Sequence, residues 1–296
     1  MKDTTSGLLS LYASLLLLGL NGLYAKLIPL PIVDITQLRS VLAFAALALL
    51  FGLRRSSLRL NSPKEYLGVY GLGILLGLHW LTYFHAMRVS TVAIGMLTLF
   101  SYPVLIVILE PVLKGLRPKF KDLLFALLVF LGVLIMVAPA LMNDSTELAS
   151  SDILVGAAWG VSSAFFFAFR NGFQKHYFSH IPSSSMMAHQ VLIIAVLLLP
   201  FMNYEAVITT GLLDWGKLIL LAIFSTALAH TLLSSSLRVL PAKSVAMIGC
   251  ALPVAGALLA WLFLGEVPSS WVLSGGAIII AVAIYESVQQ RQSATP

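Results

Sequence analysis

A set of polar and aromatic side chains lies inside long apolar stretches of this sequence, and these residues could do chemistry. Polar groups are costly to bury within a membrane span, so they usually face a partner, water or the interior of a helix bundle. Histidine can exchange protons near neutral pH, and arginine presents a planar fork of donors to a carboxylate or phosphate. The pattern predicts binding of a small solute rather than bond breaking. The candidate substrate-binding residues are Asn21, Tyr24, Gln37, Arg39, His79, Trp80, Tyr83, Tyr102, Trp159, Asn171, Gln190, His230 and Ser234.

Arg39 is the sharpest charge in this set because it lies inside the second apolar stretch. An unpaired guanidinium there would cost on the order of 2.5 kcal/mol or more. One interpretation is that Arg39 reaches the outer surface along its aliphatic stem or pairs with Asp34. The other is that it attracts a carboxylate or phosphate, for which its geometry is suited.

Each remaining candidate also has a structural interpretation. A buried histidine often bonds a backbone carbonyl or a neighbouring helix, so both roles stay open for His79 and His230. Asn21 and Asn171 each precede a glycine, and glycine permits close approach of helices. The aromatic residues could be packing side chains, although positions near the centre of a span favour a cavity over an interfacial belt.

The sequence holds none of the motifs that would indicate an enzyme. We find no HExxH, no GxSxG, no Walker-type glycine loop and no acidic pair within a span, and we predict neither a cofactor nor a metal site. Glu110, Glu266 and Glu286 fall toward the ends of spans, whereas ion-driven carriers usually need a carboxylate near the midplane. Coupling would therefore use His79 or His230, and uncoupled transport is equally compatible. An intramembrane enzyme acting on a lipid remains the alternative function.

The composition places these residues in a membrane protein. Of 296 residues, 59% are hydrophobic and 10% are charged, whereas a soluble globular chain has roughly 25% charged residues. We predict an all-α polytopic protein in which residues 1–296 form a single membrane domain. Runs of about 20 apolar residues predict spans near 7–26, 35–53, 66–87, 91–113, 123–141, 152–173, 185–201, 213–236, 244–264 and 271–287.

A shift of 150 positions brings the sequence onto itself. Asn21-Gly22 then falls on Asn171-Gly172, and Arg88-Val89 falls on Arg238-Val239. A constant offset indicates a duplicated unit, which we place at residues 7–141 and 152–288. With five spans in each copy, the second copy must be inverted relative to the first. Inverted repeats are typical of membrane carriers.

Prolines and glycines predict the mechanics of the helices. Pro103 and Pro253 occupy equivalent positions within the fourth and ninth spans, where each removes a backbone hydrogen bond and kinks its helix. We predict that the two kinks are hinges, with a static bend as the alternative. Small-residue spacings that suit close helix crossing occur at Gly73 and Gly77 and at Gly156 and Gly160.

The basic residues predict the orientation in the membrane. With the amino terminus inside, most of the 18 Lys and Arg residues fall in cytoplasmic segments, among them Arg170 and Lys175. The positive-inside rule then places both termini in the cytoplasm, in what we expect is a bacterial inner (plasma) membrane. This asymmetry accounts for the net charge of +6 and leaves no exposed basic face for a nucleic acid. The expected partners are the lipid bilayer and a small-molecule solute, and the chain is a monomer or a homodimer.

Short motifs in both halves resemble those of a known family. The second half has RVLPAKSVA at 238–246, then Pro253, then LGEVP at 264–268, and a glycine-bearing last span; the first half repeats the frame with Pro103 and KGLRP at 114–118. In this frame the chain resembles the drug/metabolite transporter superfamily and, within it, the ten-helix EamA family. Leu116 stands where the second half has Glu266, so any role of that glutamate is not duplicated.

The resemblance implies a basket-like bundle with a central cavity, which moves small polar or amphipathic metabolites, often outward. Because members of the family differ in cargo, the solute must be inferred from the cavity. We therefore predict a secondary transporter that exports a small organic metabolite, such as an amino acid or a related amphipathic solute, by alternating access about a central cavity.

Overall fold

The computed structural model describes residues 2–21, 24, 27–90, 92–142, 150–252, 254 and 270–292. All the regular structure within these ranges is helical. A bilayer offers no water to pair with backbone groups, so a span of this kind must satisfy its N–H and C=O groups internally, as a helix does. The predicted all-α polytopic membrane fold is confirmed.

The first half of the chain folds into six helices within the described ranges. The longest, α3, begins after Ser62, whose side chain accepts a hydrogen bond from the backbone N–H of Glu65 at 3.3 Å, with Pro63 at the first helical position. Both features are favourable at a helix start. The helices are α1 (Lys2–Leu18), α2 (Ile32–Leu53), α3 (Pro63–Val89), α4 (Val92–Leu99), α5 (Tyr102–Leu113) and α6 (Phe120–Met142).

The second half contributes the remaining described helices, two of which are joined by a π-helical segment. That segment and its neighbours form one continuous helix, Leu212–Val239. The elements are α7 (Ser150–Tyr177), α8 (Ser183–Leu198) with a short 3-10 turn (Leu199–Phe201), α9 (Tyr204–Ile208), α10 (Leu212–Leu220), the π-helical segment (Leu221–Leu228), α11 (Ala229–Val239), α12 (Ala242–Gly249) and α13 (Ser270–Gln292).

Four helices in the described ranges are long and apolar enough to cross a membrane. They are Ile32–Leu53, Pro63–Val89, Ser183–Phe201 and Leu212–Val239, and shorter apolar helices cover Asp3–Leu18, Tyr102–Leu113 and Leu273–Gln289. At 1.5 Å per residue, the 22 residues of α2 extend about 33 Å, close to the thickness of a bilayer core. Part of the predicted ninth span lies outside the described residues.

The fourth predicted span is broken into two helices. The chain turns at Phe100 and Ser101 between α4 and α5, and Pro103 lies in the first turn of α5. Proline is tolerated there because its missing N–H has no partner within the helix. The prediction of a kink at Pro103 within a continuous helix is therefore wrong, because the helix is interrupted ahead of the proline. Its role as a hinge stays a prediction.

An equivalent turn occurs in the second half. The helix α12 ends at Gly249, and the chain turns at Cys250 and Ala251, which are the positions 150 residues after the first turn. The predicted hinge Pro253 lies outside the described residues. The two halves thus share an interruption at the same place in the repeat.

The packing of the helices repeats the internal symmetry. The helix α2 packs against its counterpart α8, and α6 packs against its counterpart α13. Another pair of large contacts exchanges under the shift of 150 residues. The helix α1 packs against α11, while α7, the counterpart of α1, packs against α3, the counterpart of the π-helical segment and α11. Each half therefore completes its packing with the other half, as a two-fold related pair does.

Glycines on α3 and α7 permit close helix crossings. A Cβ at Gly73 would lie 3.0 Å from the backbone oxygen of Gln190, and one at Gly77 would lie 3.1 Å from Ile194 Cγ1. On α7, a Cβ at Gly156 would lie 3.2 Å from the carbonyl oxygen of Ala86. These are helix contacts between halves, so the prediction of close crossing at these glycines is confirmed.

Candidate solute-binding site at the centre of the bundle

A small cavity lies where the two interrupted helices meet the other helices of the bundle. Of the predicted site residues, Asn21, His79, Trp80, Tyr83, Tyr102 and His230 line it. The wall also includes Phe100, which lies in the first helix interruption, and Gly249, which lies directly before the second. Interrupted helices at matched positions of two repeats mark the substrate site in several carriers.

The cavity is nearly closed in this structure. Its volume is about 40 Å³, and one water needs roughly 10–15 Å³ of such space. A solute larger than a few waters must therefore displace wall side chains or bind in a more open state. Much of the wall is apolar, with Leu15, Leu18, Leu233 and Leu252 beside the aromatic residues.

His79 is held by a reciprocal contact between the two halves. Its Nδ1 lies 2.7 Å from Ser163 Oγ, while that hydroxyl donates to the backbone oxygen of His79 at 3.1 Å. The hydroxyl has a single proton, so we assign the imidazole proton to Nδ1, which leaves Nε2 as an acceptor. The ring stacks on Phe167, at 4.4 Å between centroids, and on Tyr83, at 5.8 Å.

Several polar atoms around the cavity are buried without a partner. They include both ring nitrogens of His230, Trp80 Nε1 and Asn21 Oδ1, none of which has a hydrogen bond within the described part of the chain. The rings of His230 and Trp80 meet edge to face at 5.1 Å. Unpaired buried polar groups cost free energy, so their concentration at one cavity indicates a place where water or a solute binds.

Arg39 lies directly behind the Trp80 wall. Its guanidinium carbon is 4.2 Å from the centroid of the Trp80 ring and 5.5 Å from that of Phe84. Its Nε donates to Thr226 Oγ1 at 2.9 Å, but Nη1 and Nη2 have no partner in the described ranges. Arg39 therefore has one neutral hydrogen bond and two free donor groups.

Neither structural interpretation of Arg39 is supported. The residue is 0% exposed, so it does not reach the surface. Asp34 does not pair with it, because Asp34 Oδ1 accepts from the backbone N–H of Asn203 at 2.9 Å and the only hydrogen bond of Arg39 in the described residues goes to Thr226. Both the surface position and the Asp34 pair are thus wrong.

Arg170 is a second buried guanidinium, which sequence reasoning missed. It is 0% exposed within α7, so its assignment to a cytoplasmic segment is wrong. It donates from Nη1 to Asn171 Oδ1 at 2.8 Å, from Nε and Nη2 to Gln190 Oε1 at 3.2 and 2.8 Å, and from Nη2 to Ser234 Oγ at 3.2 Å. One signal was available: the matching Asn21-Gly22 pair lies inside the first span, which implied that Asn171 and its neighbour lie inside one too.

The other predicted site residues lie outside the cavity wall. Asn171, Gln190 and Ser234 are buried and bind Arg170. Tyr24 and Gln37 are buried but do not line the cavity. Trp159 is 41% exposed and meets His85 edge to face at 5.1 Å. A substrate role for these six stays a prediction, which the surface position of Trp159 does not support.

The carboxylates with ion-pair partners lie away from this centre. Glu110 accepts from Lys114 Nζ at 2.8 Å and from the backbone N–H of Lys243 at 2.7 Å, and Lys243 Nζ bonds Asp122 at 2.7 Å. We call these four residues the α5–α12 ion cluster, since they join the end of α5 to the start of α12. Among the described residues, no carboxylate lies within 4.0 Å of the guanidinium nitrogens of Arg39 or Arg170.

Comparison with known proteins gives matches to both the sequence and the fold. A model of the EamA-like transporter family matches residues 5–138 and again residues 154–286. A solved structure described only as "Crystal structure of protein" superposes with a TM-score of 0.76 at 17% identity, covering 98% of this chain and 99% of that chain. At that identity the likeness shows the fold alone. No curated protein matches the sequence.

Proposed function

Because the chain belongs to the EamA-like transporter family, we propose that it exports a small organic solute by alternating access about the central cavity. The family is one of membrane transporters, so carriage of a solute across a bilayer is the premise. The observation that carries the proposal is the position of the cavity: it lies between the two halves, at the two matched helix interruptions. No enzymatic activity is proposed.

Contacts between the halves account for the closed state. Tyr102, which lines the cavity, donates from Oη to the backbone oxygen of Ala246 at 3.0 Å, and this bond joins the first half to the second. The bond between His79 and Ser163 also crosses between halves. In an alternating carrier one half rocks against the other around a fixed site, so contacts of this kind must break or slide when the cavity opens.

Two wider clefts lie near opposite ends of α2 and suit the two openings of such a carrier. One, of about 690 Å³, is lined by residues that include Pro31, directly before α2. The other, of about 580 Å³, is lined by residues that include Arg54, directly after α2. We propose that these clefts lead toward the central cavity from the two sides of a bacterial inner membrane. Both termini are then cytoplasmic.

The cavity wall indicates an amphipathic solute. Aromatic and leucine side chains supply most of the wall, while Asn21, His79 and His230 supply polar atoms. Such a lining binds the apolar part of a ligand by burial and orients it with a few polar contacts. Amphipathic metabolites about the size of an amino acid are therefore the first solutes to examine.

Transport by reconstituted protein tests this function. We expect liposomes that contain the purified chain to exchange a preloaded amphipathic solute for the same labelled solute outside. Trp80→Ala should reduce the exchange rate at least tenfold, because it removes an aromatic surface of the cavity wall against which the apolar part of the solute packs. Trp271→Ala is the matched control: Trp271 is 45% exposed at the start of α13 and should leave exchange unchanged. Equal loss in both variants, or no exchange of any solute, would contradict the proposal.

A further inference from the structure

The centre of the bundle holds two buried cations, neither of which forms an ion pair with a carboxylate of the described residues. Arg39 and Arg170 are both fully buried, and no carboxylate of the described residues lies within 4.0 Å of their guanidinium nitrogens. The Trp80 ring lies 4.2 Å from the Arg39 guanidinium carbon and 5.1 Å from the ring of His230, and both rings line the cavity. Arg170 donates to Ser234, which lies about one helical turn after His230. A solute in the cavity is therefore placed in the field of two cations.

A charge that is buried without an opposite charge destabilises the folded protein. Such a residue inside a membrane bundle usually serves a substrate or ion pathway. The charge of Arg170 is dispersed over neutral oxygen acceptors, and each of its three nitrogens has at least one partner. Arg39 keeps Nη1 and Nη2 unpaired, which is the pair of donors that a carboxylate accepts side by side.

Trp80 connects Arg39 to the cavity. One face of the indole is covered by the guanidinium at 4.2 Å, and Trp80 itself lines the cavity, with Nε1 unpaired. The cavity holds only a few waters, so wall side chains must move to admit a solute, and Trp80 is the one that lies between the cavity and Arg39. A shift of this ring would open the free donors of Arg39 to the space that the solute enters.

We propose that the solute carried by this protein is an organic anion with net negative charge, whose carboxylate is bound by Arg39 as Trp80 moves aside. The inference rests on the proposed carrier function and narrows its substrate class. The acceptors Asn21 Oδ1 and His79 Nε2 are left for a hydroxyl or amide hydrogen elsewhere on the solute. A 2-hydroxy acid has both features: an anionic group and an adjacent donor without charge.

The same arrangement disfavours amino acids and amines. An ammonium group in the cavity would lose its hydration and meet two guanidiniums of like charge. The acceptors available to it are neutral, and no carboxylate of the described residues lines the cavity. An amino acid zwitterion therefore gains binding free energy where its carboxylate meets Arg39 and loses it where its ammonium is buried. The matching hydroxy acid has the favourable contact without the unfavourable one.

Matched pairs of probes test this inference on the purified full-length chain. Lactate and alanine, phenyllactate and phenylalanine, and malate and aspartate differ only in a hydroxyl that replaces an ammonium. We expect each hydroxy acid to raise the melting temperature, with a half-saturating concentration at least tenfold below that of its amino acid, since binding to the folded state stabilises it. Phenethylamine should give no shift.

Variants at Arg39 link the response to the guanidinium. In Arg39→Gln the response to the hydroxy acids should vanish, and in Arg39→Lys, which keeps the charge without the fork, it should weaken but persist. Arg59→Gln removes an arginine from an exposed loop and should leave the response unchanged. The melting-temperature assay measures ligand binding by these variants without requiring transport, so its result does not depend on exchange in liposomes.

Three results would overturn the inference. They are an amino acid or amine response equal to that of the hydroxy acids, a hydroxy-acid response that survives in Arg39→Gln, and no response to any anion. A melting-temperature response to inorganic phosphate as strong as the response to phenyllactate would overturn the inference that the bound anion is organic. In each case, exchange of some other solute in liposomes would leave the carrier function standing, whereas absence of all exchange would remove it.

Discussion

Arg39 in α2 and Arg170 in α7 are both fully buried, yet their guanidiniums are held by different kinds of contact. Every nitrogen of Arg170 donates to a side-chain oxygen, from Asn171, Gln190 or Ser234. Arg39 has one such bond, to Thr226, and lies against aromatic rings with two nitrogens unpaired. Hydrogen-bond saturation therefore separates a cation that holds helices together from one that is available to a ligand.

The partners of the two arginines also differ in their place in the repeat. Those of Arg170 all lie in the second half, on α7, α8 and α11. The surroundings of Arg39 come from both halves: Trp80 lies on α3, and Thr226 lies on the π-helical segment. When the halves move, the Arg170 network can travel as one body, whereas the environment of Arg39 must change. A charge whose contacts change between states is suited to bind a solute in one and release it in another.

The largest expected effect is a difference in stability between two variants, in each of which one of the two arginines is replaced by methionine. Arg170→Met strands the oxygens of Asn171 and Gln190 in the core, at about 1–3 kcal/mol for each buried acceptor, so we expect a loss of stability on the order of 2–6 kcal/mol. Arg39→Met strands little, because Thr226 still donates to the Leu221 oxygen at 2.9 Å, and it removes an uncompensated buried charge. We expect its stability to be unchanged or higher.

Thermal unfolding without ligand, in one detergent, measures both variants, and size-exclusion chromatography checks that each stays monodisperse. A melting temperature well below the parent for Arg170→Met but not for Arg39→Met agrees with the comparison. If Arg39→Met were the more damaging change, Arg39 would be the structural cation, and its proposed role in binding would lose its basis.

The helical fold was predictable because it depends on averages over many residues. Hydropathy over spans such as Pro63–Val89 and the constant offset between Asn21 and Asn171 do not require any single position to be right. The interruption before Pro103 was not predictable, because proline is compatible both with a kink inside a helix and with the first turn of a new one. Only the backbone distinguishes these outcomes.

The site was predictable in its residue types and not in its partners. The choice of His79, Trp80 and His230 rested on the cost of burying polar groups, and all three line the cavity. Arg170 was assigned with Lys175 to a cytoplasmic segment by the positive-inside rule, whereas α7 continues through both residues to Tyr177. Which donor meets which acceptor depends on contacts between distant helices, and a single sequence does not contain that information.

A smaller effect should come from removing one hydroxyl at each arginine. Thr226→Val deletes the one hydrogen bond that Arg39 makes with the described residues, so its guanidinium is less well oriented. We expect phenyllactate to half-saturate at about a fivefold higher concentration, equivalent to about 1 kcal/mol. Ser234→Ala leaves Arg170 bonded to Gln190 and Asn171. It should change the phenyllactate response less than twofold.

Melting-temperature titrations with phenyllactate compare the two variants directly. The two variants can be compared directly because each change removes one hydroxyl oxygen that accepts a hydrogen bond from one of the two arginines. Equal effects on ligand response would mean that saturation of the guanidinium does not decide its role, and a larger effect of Ser234→Ala would assign ligand binding to Arg170.

The smallest expected effect concerns the motion of one half against the other, which would change the contacts of Arg39 but not those of Arg170. In the α5–α12 ion cluster, Lys243 Nζ pairs with Asp122 at 2.7 Å, with the two side chains 26% and 18% exposed. A partly exposed pair of this kind contributes up to about 1 kcal/mol, so Lys243→Met should shift the population toward an open state by about twofold. Asp122→Asn should act in the same direction.

The single cysteine of the chain provides the measurement. Cys250 is 0% exposed, in the second helix interruption beside the cavity wall, so its reaction with a maleimide reports opening there. The rate should rise about twofold in Lys243→Met and stay unchanged in Lys64→Met, where the lysine is exposed at the start of α3. Phenyllactate should slow the reaction in the parent and not in Arg39→Gln. The contrast between the parent and Arg39→Gln matters most, because it requires the ligand to act through Arg39 on a helix of the other half. A reaction rate that responds to changes in the α5–α12 ion cluster but never to phenyllactate would mean that opening at Cys250 does not depend on ligand binding at Arg39.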